Sequence, residues 1–296
     1  MEIFSGFRNI DTDDFLGFLK NKYEKYPFTL WDDTFPQDTS QLNINPYNFL
    51  FLHEPNELFG FHTAALQNHH LFTGIITWSD LILSNCSNGI KYVMNGRTLD
   101  YKFIDEVNSK EKKFEVSFLC GTKDLVEGHK LRHKIFKFED QIKIPKKWFY
   151  VLEDFDHSTQ TRPGYSEYSK DLTHIPQGVD LIGYGKRVLF KESMFNIVIE
   201  NVNQLNWYNK IGDNFLTKTV PLYWGCENIS DSGYDERGII RFSTPEELLT
   251  ILNNLTPKKY IEMKPYIEHN YEVAKLDEMN DRMSEIFDGI IELNNL

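Results

Sequence analysis

The stretch MFNIVIENVNQLNWYNKIGDNFLTKTVPLYWG, residues 194–225, decides the fold class. It begins with Phe195-Asn196-Ile197-Val198-Ile199, a short apolar run rich in β-branched residues, which reads as a buried strand. The run ends on an acid and an amide, Glu200 and Asn201. A polar and aromatic loop follows, then a helical pattern over 210–216, then a second strand over 219–224 closed by Gly225. Strand, loop, helix and strand in that order make a βαβ unit. Its polar residues gather at the carboxyl end of the first strand, the edge at which open α/β sheets bind ligands.

The same residues resemble the donor-binding signature of family 10 glycosyltransferases, the α1,3/α1,4-fucosyltransferases. The family pattern is roughly F-x-x-x-x-E-N, a loop ending Y-x-T-E-K, a helix, and P-[IVL]-Y-W-G. At Y-x-T-E-K this chain has Trp207-Tyr208-Asn209-Lys210, one residue shorter and without the glutamate. The resemblance implies an α/β, GT-B-like protein: two Rossmann-like domains with a cleft between them and a C-terminal helix returning to the first. It implies inverting, metal-independent transfer of a sugar, with a nucleotide-sugar (GDP-fucose first) as co-substrate and no bound cofactor. The other partner is an acceptor oligosaccharide or glycoconjugate. In these terms Asn201 and Trp207 line the donor site, Glu200 orients the loop, and Lys210 stabilises the leaving diphosphate. A carboxylate before Lys210 would bind donor hydroxyls. Without it, another acid replaces it, the donor differs from GDP-fucose, or turnover is poor.

The chain has 296 residues, enough for one large or two medium domains. The resemblance implies an N-terminal α/β domain over 1–110, a C-terminal donor domain over 111–265, and a helical segment over 266–296 that crosses back. A formal charge of −12 argues against a general nucleic-acid or anionic-membrane surface. A phosphate-bearing ligand then needs a local basic cluster. Aromatic residues, at 15%, suit packed cores and sugar-stacking surfaces alike. Cys86, Cys120 and Cys226 are scattered and odd in number, which argues against a disulfide framework or a zinc site. The first residues, MEIFSGFRNIDTDD, are too acidic for a signal peptide, and no apolar run reaches the roughly 18 residues of a membrane span. A soluble, cytoplasmic protein is expected, like the short bacterial and viral members of the family.

In the amino-terminal half, residues 2–7 read as a strand and residues 11–14 as the cap of a helix over 15–26. Residues 27–31 read as a possible strand, 32–45 as a loop, and 47–52 as a buried strand running into His53-Glu54-Pro55. Pro55 disfavours helix at Glu54 and holds that carboxylate at a strand end. The resemblance places the general base here, at Glu54, with Glu57 as the competing choice. Three histidines follow, His62, His69 and His70, without the spacing of a metal site, so surface or capping roles are expected. A strand over 74–78, a short helix over 79–83 and a strand over 91–94 complete an expected parallel sheet.

In the second half, a strand over 114–120 is followed by Gly121-Thr122-Lys123 and a helix over 129–140. A strand, a small-residue turn and a helix start can cradle phosphate. In the family, the arginine at the place of Arg132 contacts the donor diphosphate. Asp154-Phe155-Asp156 has the form of a metal–nucleotide triplet, but short acidic triplets are common by chance. Residues 179–185 read as a strand ending in a glycine turn. Thr244-Pro245 and Thr256-Pro257 start two helices, with Tyr260, Met263, Ile267, Tyr271 and Ala274 stepping at helical spacing along the second. Two other functions stay open: a catalytically weak protein of the same fold that binds a nucleotide or glycan, and a non-enzymatic scaffold.

Overall fold

The computed structural model describes residues 1–8, 10, 13–93, 111–151 and 184–296. The acidic triplet at 154–156, most of the strand expected at 179–185, and the residues just before the expected domain boundary at 110 therefore lie outside the described residues. The chain divides into two compact units. Unit 1 comprises Met1–Thr98, Leu205–Trp207 and Asp277–Leu296; unit 2 comprises Leu99–Gln204 and Tyr208–Leu276. Each is an α/β unit built on a five-stranded, all-parallel sheet.

Unit 1 contains β1 (Glu2–Ser5), α1 (Asp14–Lys22), β2 (Phe28–Asp32), β3 (Tyr47–Leu52), α2 (Asn56–Phe59), α3 (Phe61–Asn68), β4 (Gly74–Thr77), α4 (Asp80–Asn85) and β5 (Gly89–Lys91). Its strands lie in sequence order, β1-β2-β3-β4-β5. Helix α1 starts where the cap was expected, with the Asp13 carboxylate accepting the Leu16 N–H at 2.8 Å. It stops at Lys22, short of the expected 26, and the Tyr23 hydroxyl donates to Asp288 at 2.8 Å. Side chains alternate across the pleat. Phe28 and Phe49 face one way, each with its ring 5.4 Å from Phe287 of the C-terminal helix. Trp31, Leu50, Leu52 and Ile75 pack together with Ala65 and Ile82 from α3 and α4.

Unit 2 contains β6 (Lys113–Gly121), α5 (Glu127–Phe136), β7 (Lys146–Val151), β8 (Ser193–Ile199), α6 (Ile211–Leu216), β9 (Val220–Trp224), β10 (Ile240–Arg241), α7 (Pro245–Asn254) and α8 (Pro257–Leu276). The chain ends in α9 (Met279–Asn294), part of unit 1. Residues 194–225 thus fold as the expected strand, helix and strand. Pro221, which has no N–H to give, sits in β9 beside Asn196 of β8, while β10 reaches only Leu222 and Tyr223. Thr244 caps α7 through the Glu247 N–H, and the five apolar positions read in α8 are all buried. The three cysteines are buried thiols. Among the described residues no helix is long and apolar enough to cross a membrane.

The strand order of unit 2 is β10-β9-β8-β6-β7. Counted from the first strand of the unit, this is the 2-1-3-4-5 doubly wound order, whose direction of winding reverses between the first and third strands. The switch point therefore falls between the carboxyl ends of β6 and β8.

Candidate functional site

At that switch point the backbone is drawn unusually close. Gly128, in the first turn of α5, donates its N–H to the Asn201 carbonyl at 2.9 Å. A Cβ on Gly128 would lie 1.8 Å from the Glu200 carbonyl oxygen, so only glycine lets α5 rest on the end of β8. Gly225, at the end of β9, closes the other side: a Cβ there would sit 2.5 Å from Glu200 Cγ. Glu200 is fully buried between them. Its Oε1 accepts the N–H groups of Lys210 and Ile211 at 2.9 and 3.2 Å, a carboxylate at the start of α6. Its Oε2 lies 3.9 Å from Lys210 Nζ.

Arg132, one turn along α5, reaches the same strand end. Its Nε donates to the Ile199 carbonyl at 3.2 Å and its Nη2 to Asn201 Oδ1 at 2.7 Å. His129, buried beneath, accepts the Leu125 N–H on Nδ1 at 3.2 Å. Burial, then the positive charges of Arg132, Lys210 and Lys123, push its imidazole down to about 3. The imidazole stays neutral at ordinary pH, and three cations lie close enough to act on it. Four of the residues read from sequence, Arg132, Glu200, Asn201 and Lys210, are thereby brought together. Against a chain charge of −12, this is a local positive site of the kind an anionic ligand needs. His129 and Gly128 were not singled out. The single sequence signal was a helix starting after a strand, and their importance depends on β8 lying beside β6.

Trp207 is not part of this cluster. It belongs to unit 1, fully buried, with its indole N–H donating to the His53 carbonyl at 3.1 Å and its ring 6.2 Å from Trp78.

In unit 1 the polar residues also collect at the carboxyl edge of the sheet. Glu54, two residues past the end of β3, is half-buried, whereas Glu57 is exposed on the one-turn helix α2. The backbone N–H groups of His53 and Glu54 donate to Asp33, at 2.9 Å to Oδ1 and 3.0 Å to Oδ2. Asp33, buried, follows β2 and has a left-handed backbone with φ 44°. Burial first, then the neighbouring Asp32 carboxylate, raise its carboxyl well above the ordinary range. Asp32, Asp33 and His53 have ligand atoms within 4.8 Å of one another, a grouping able to hold a cation. Arg8 already supplies one: its guanidinium contacts His53 Nδ1 and lies 3.6 Å from Asp32 Oδ2.

His62 corrects the expectation of a surface or capping role. It is buried against Trp78, its Nε2 lies 3.1 Å from the Glu54 carbonyl oxygen, and burial lowers its pKa to about 4. Phe7 and Phe59, both exposed, stack with centroids 4.3 Å apart in the segments that follow β1 and β3.

No protein-family model matches the chain, and no curated protein matches it in sequence. Solved structures do share its architecture. OtsA in its apo form is similar with a TM-score of 0.57 and 11% identity, over 90% of this chain and 72% of that one. HepE of Anabaena, in complex with UDP and glucose, gives 0.56 and 12%, over 92% and 80%. The N-terminal domain of Candida albicans trehalose-6-phosphate phosphatase gives 0.54 and 14%, over 97% and 76%. An α1,3-fucosyltransferase gives 0.49 and 12%, over 82% and 70%, too slight a likeness to bear on the choice of donor. At such identities the likeness concerns architecture alone: the chain has the GT-B fold, with two Rossmann-like α/β units.

Proposed function

We propose that this protein is an inverting glycosyltransferase, moving a sugar from a nucleoside-diphosphate donor to a hydroxyl of an acceptor glycan. The observation that supports this reading most is the convergence of Arg132, Lys210, Asn201 and Glu200 on the switch point of unit 2. In the proposed reaction unit 2 holds the donor. Arg132 and Lys210 stabilise the charge that develops on the leaving diphosphate, the task a metal ion performs in other transferases. Glu54 of unit 1 takes the proton of the acceptor hydroxyl as the new glycosidic bond forms and the bond to the diphosphate breaks. Phe7 and Phe59 offer an aromatic face at the same sheet edge for an acceptor sugar. GDP-fucose is the first donor to test, on the signature in 194–225. UDP-glucose is the second, because HepE, similar in fold, is known in complex with it.

A second reading, a nucleotide- or glycan-binding protein without turnover, is favoured by one feature. The signature loop lacks the family glutamate before Lys210, and its tryptophan is committed to His53. One experiment separates the two. The purified protein is incubated with each donor and an acceptor glycan panel in EDTA, and nucleoside diphosphate and product anomer are measured. Transfer with inverted configuration supports the enzyme. Saturable donor binding with no diphosphate released supports the binder.

A further inference from the structure

We infer that Asp33 is a positioning residue, whose carboxylate bridges the backbone N–H groups of His53 and Glu54 and so fixes how the strand end presents the Glu54 side chain. The inference rests on the reading of Glu54 as the base.

The geometry is specific on both sides of Asp33. Each carboxylate oxygen takes one N–H, Oδ1 that of His53 and Oδ2 that of Glu54. Beyond Leu52 the ladder between β2 and β3 has ended, so these two N–H groups would otherwise lack strand partners at a largely buried edge. The Asp33 N–H donates back to the Phe51 carbonyl at 2.9 Å, closing a loop of three hydrogen bonds across the two strand ends. To reach this place the residue adopts φ 44°, a conformation non-glycine side chains avoid and aspartate and asparagine tolerate best. Gly6 secures it from behind, since a Cβ there would lie 2.5 Å from the Asp33 carbonyl oxygen. A strained backbone held by its surroundings is a recurrent feature of functional sites.

Charge and packing complete the arrangement. Arg8, after β1, faces Asp32 and His53, and Ser5 donates to Asp32 at 2.7 Å. The opposite face of Glu54 is fixed by His62 of α3 through the Glu54 carbonyl. The peptide of Glu54 is thus held at its N–H by Asp33 and at its carbonyl by His62, which orients the side chain between them. Pro55, next in sequence, removes the remaining backbone freedom. In this device Asp33 acts through Glu54.

The test substitutes Asp33→Asn, which keeps shape and the left-handed preference but replaces one acceptor oxygen with a donor. Asp33→Gly, which tolerates the same φ and removes the carboxylate, serves if the first variant does not fold. Glu54→Gln is measured alongside. Expected are a fall in kcat of about 10²-fold with acceptor KM within a few-fold, as a misplaced base gives. Amide exchange at His53 and Glu54 should also rise by about tenfold or more, with the rest of β3 protected. Full kcat in the Asp33 variants while Glu54→Gln is inactive overturns the positioning role alone. Undiminished turnover in Glu54→Gln overturns the base reading, and the positioning role with it. A loss confined to KM, or unchanged exchange at both amides, also contradicts the inference.

Discussion

Arg132 and Lys210 differ in how firmly they are placed. Arg132 is anchored on the strand end by the Ile199 carbonyl and Asn201, a planar fork held in a fixed orientation. Lys210 faces the buried Glu200 at 3.9 Å and is partly exposed. Charge-assisted hydrogen bonds to a phosphate are worth about 1.5–3 kcal/mol each. Arg132→Ala and Lys210→Ala should therefore each weaken nucleoside-diphosphate binding by roughly ten- to a hundredfold, read by calorimetry. Arg132→Lys should recover little, because lysine lacks the fork that meets Ile199 and Asn201 together. Normal affinity in both alanine variants would remove these residues from the proposed donor site. At this scale the sequence was informative where chemistry is local. Glu54, Glu200 and Asn201 lie within two residues of the end of an apolar run, and a strand-end acid can be read from its neighbours. Asp33 could not be read so, because it lies in a polar stretch and its partners are twenty residues away.

The elements of unit 2 show which part of the site local sequence did not reveal. The helix after β6 was expected from the sequence, although it runs over Glu127–Phe136 and not 129–140. That it rests on β8 was not, since strand order is a property of the assembled sheet. The glycine that permits the contact is one of 17 in the chain, with nothing local to distinguish it. Gly128→Ala tests this packing. A methyl 1.8 Å from the Glu200 carbonyl oxygen forces α5 off the end of β8 and takes Arg132 with it. Overpacking of this kind costs about 1–3 kcal/mol. The expected outcome is a lower denaturation midpoint together with a larger loss of diphosphate affinity than stability alone explains. A variant with wild-type stability and affinity would show that the approach of helix and strand is looser than described.

Across the whole molecule, two buried histidines, His62 in unit 1 and His129 in unit 2, both neutral in the native protein, contribute a pH-dependent part of the stability. Their folded pKa values lie near 4 and 3, below the unfolded value of about 6.5. At these two groups the unfolded chain binds more protons between these limits, so their contribution to stability falls as pH drops below 6.5, while the raised carboxyl of Asp33 contributes in the opposite sense. Between pH 7 and 5 each histidine should withdraw about 2 kcal/mol. His62→Gln and His129→Asn, which retain one ring nitrogen's hydrogen-bonding position, should each flatten the pH dependence of urea unfolding; an unchanged slope would contradict their burial as neutral groups. The fold class was legible from 194–225, and two domains with a C-terminal helix crossing back were expected from the resemblance, whereas the place of 205–207 in unit 1 depends on packing between distant segments. The reaction itself is tested most directly by Glu54→Gln. Donor affinity and nucleoside-diphosphate release are measured side by side for the variant and the native protein, with GDP-fucose and UDP-glucose as donors. The account predicts that release falls by about 10²–10⁴-fold while donor affinity stays within a few-fold. Undiminished release from the variant would contradict it.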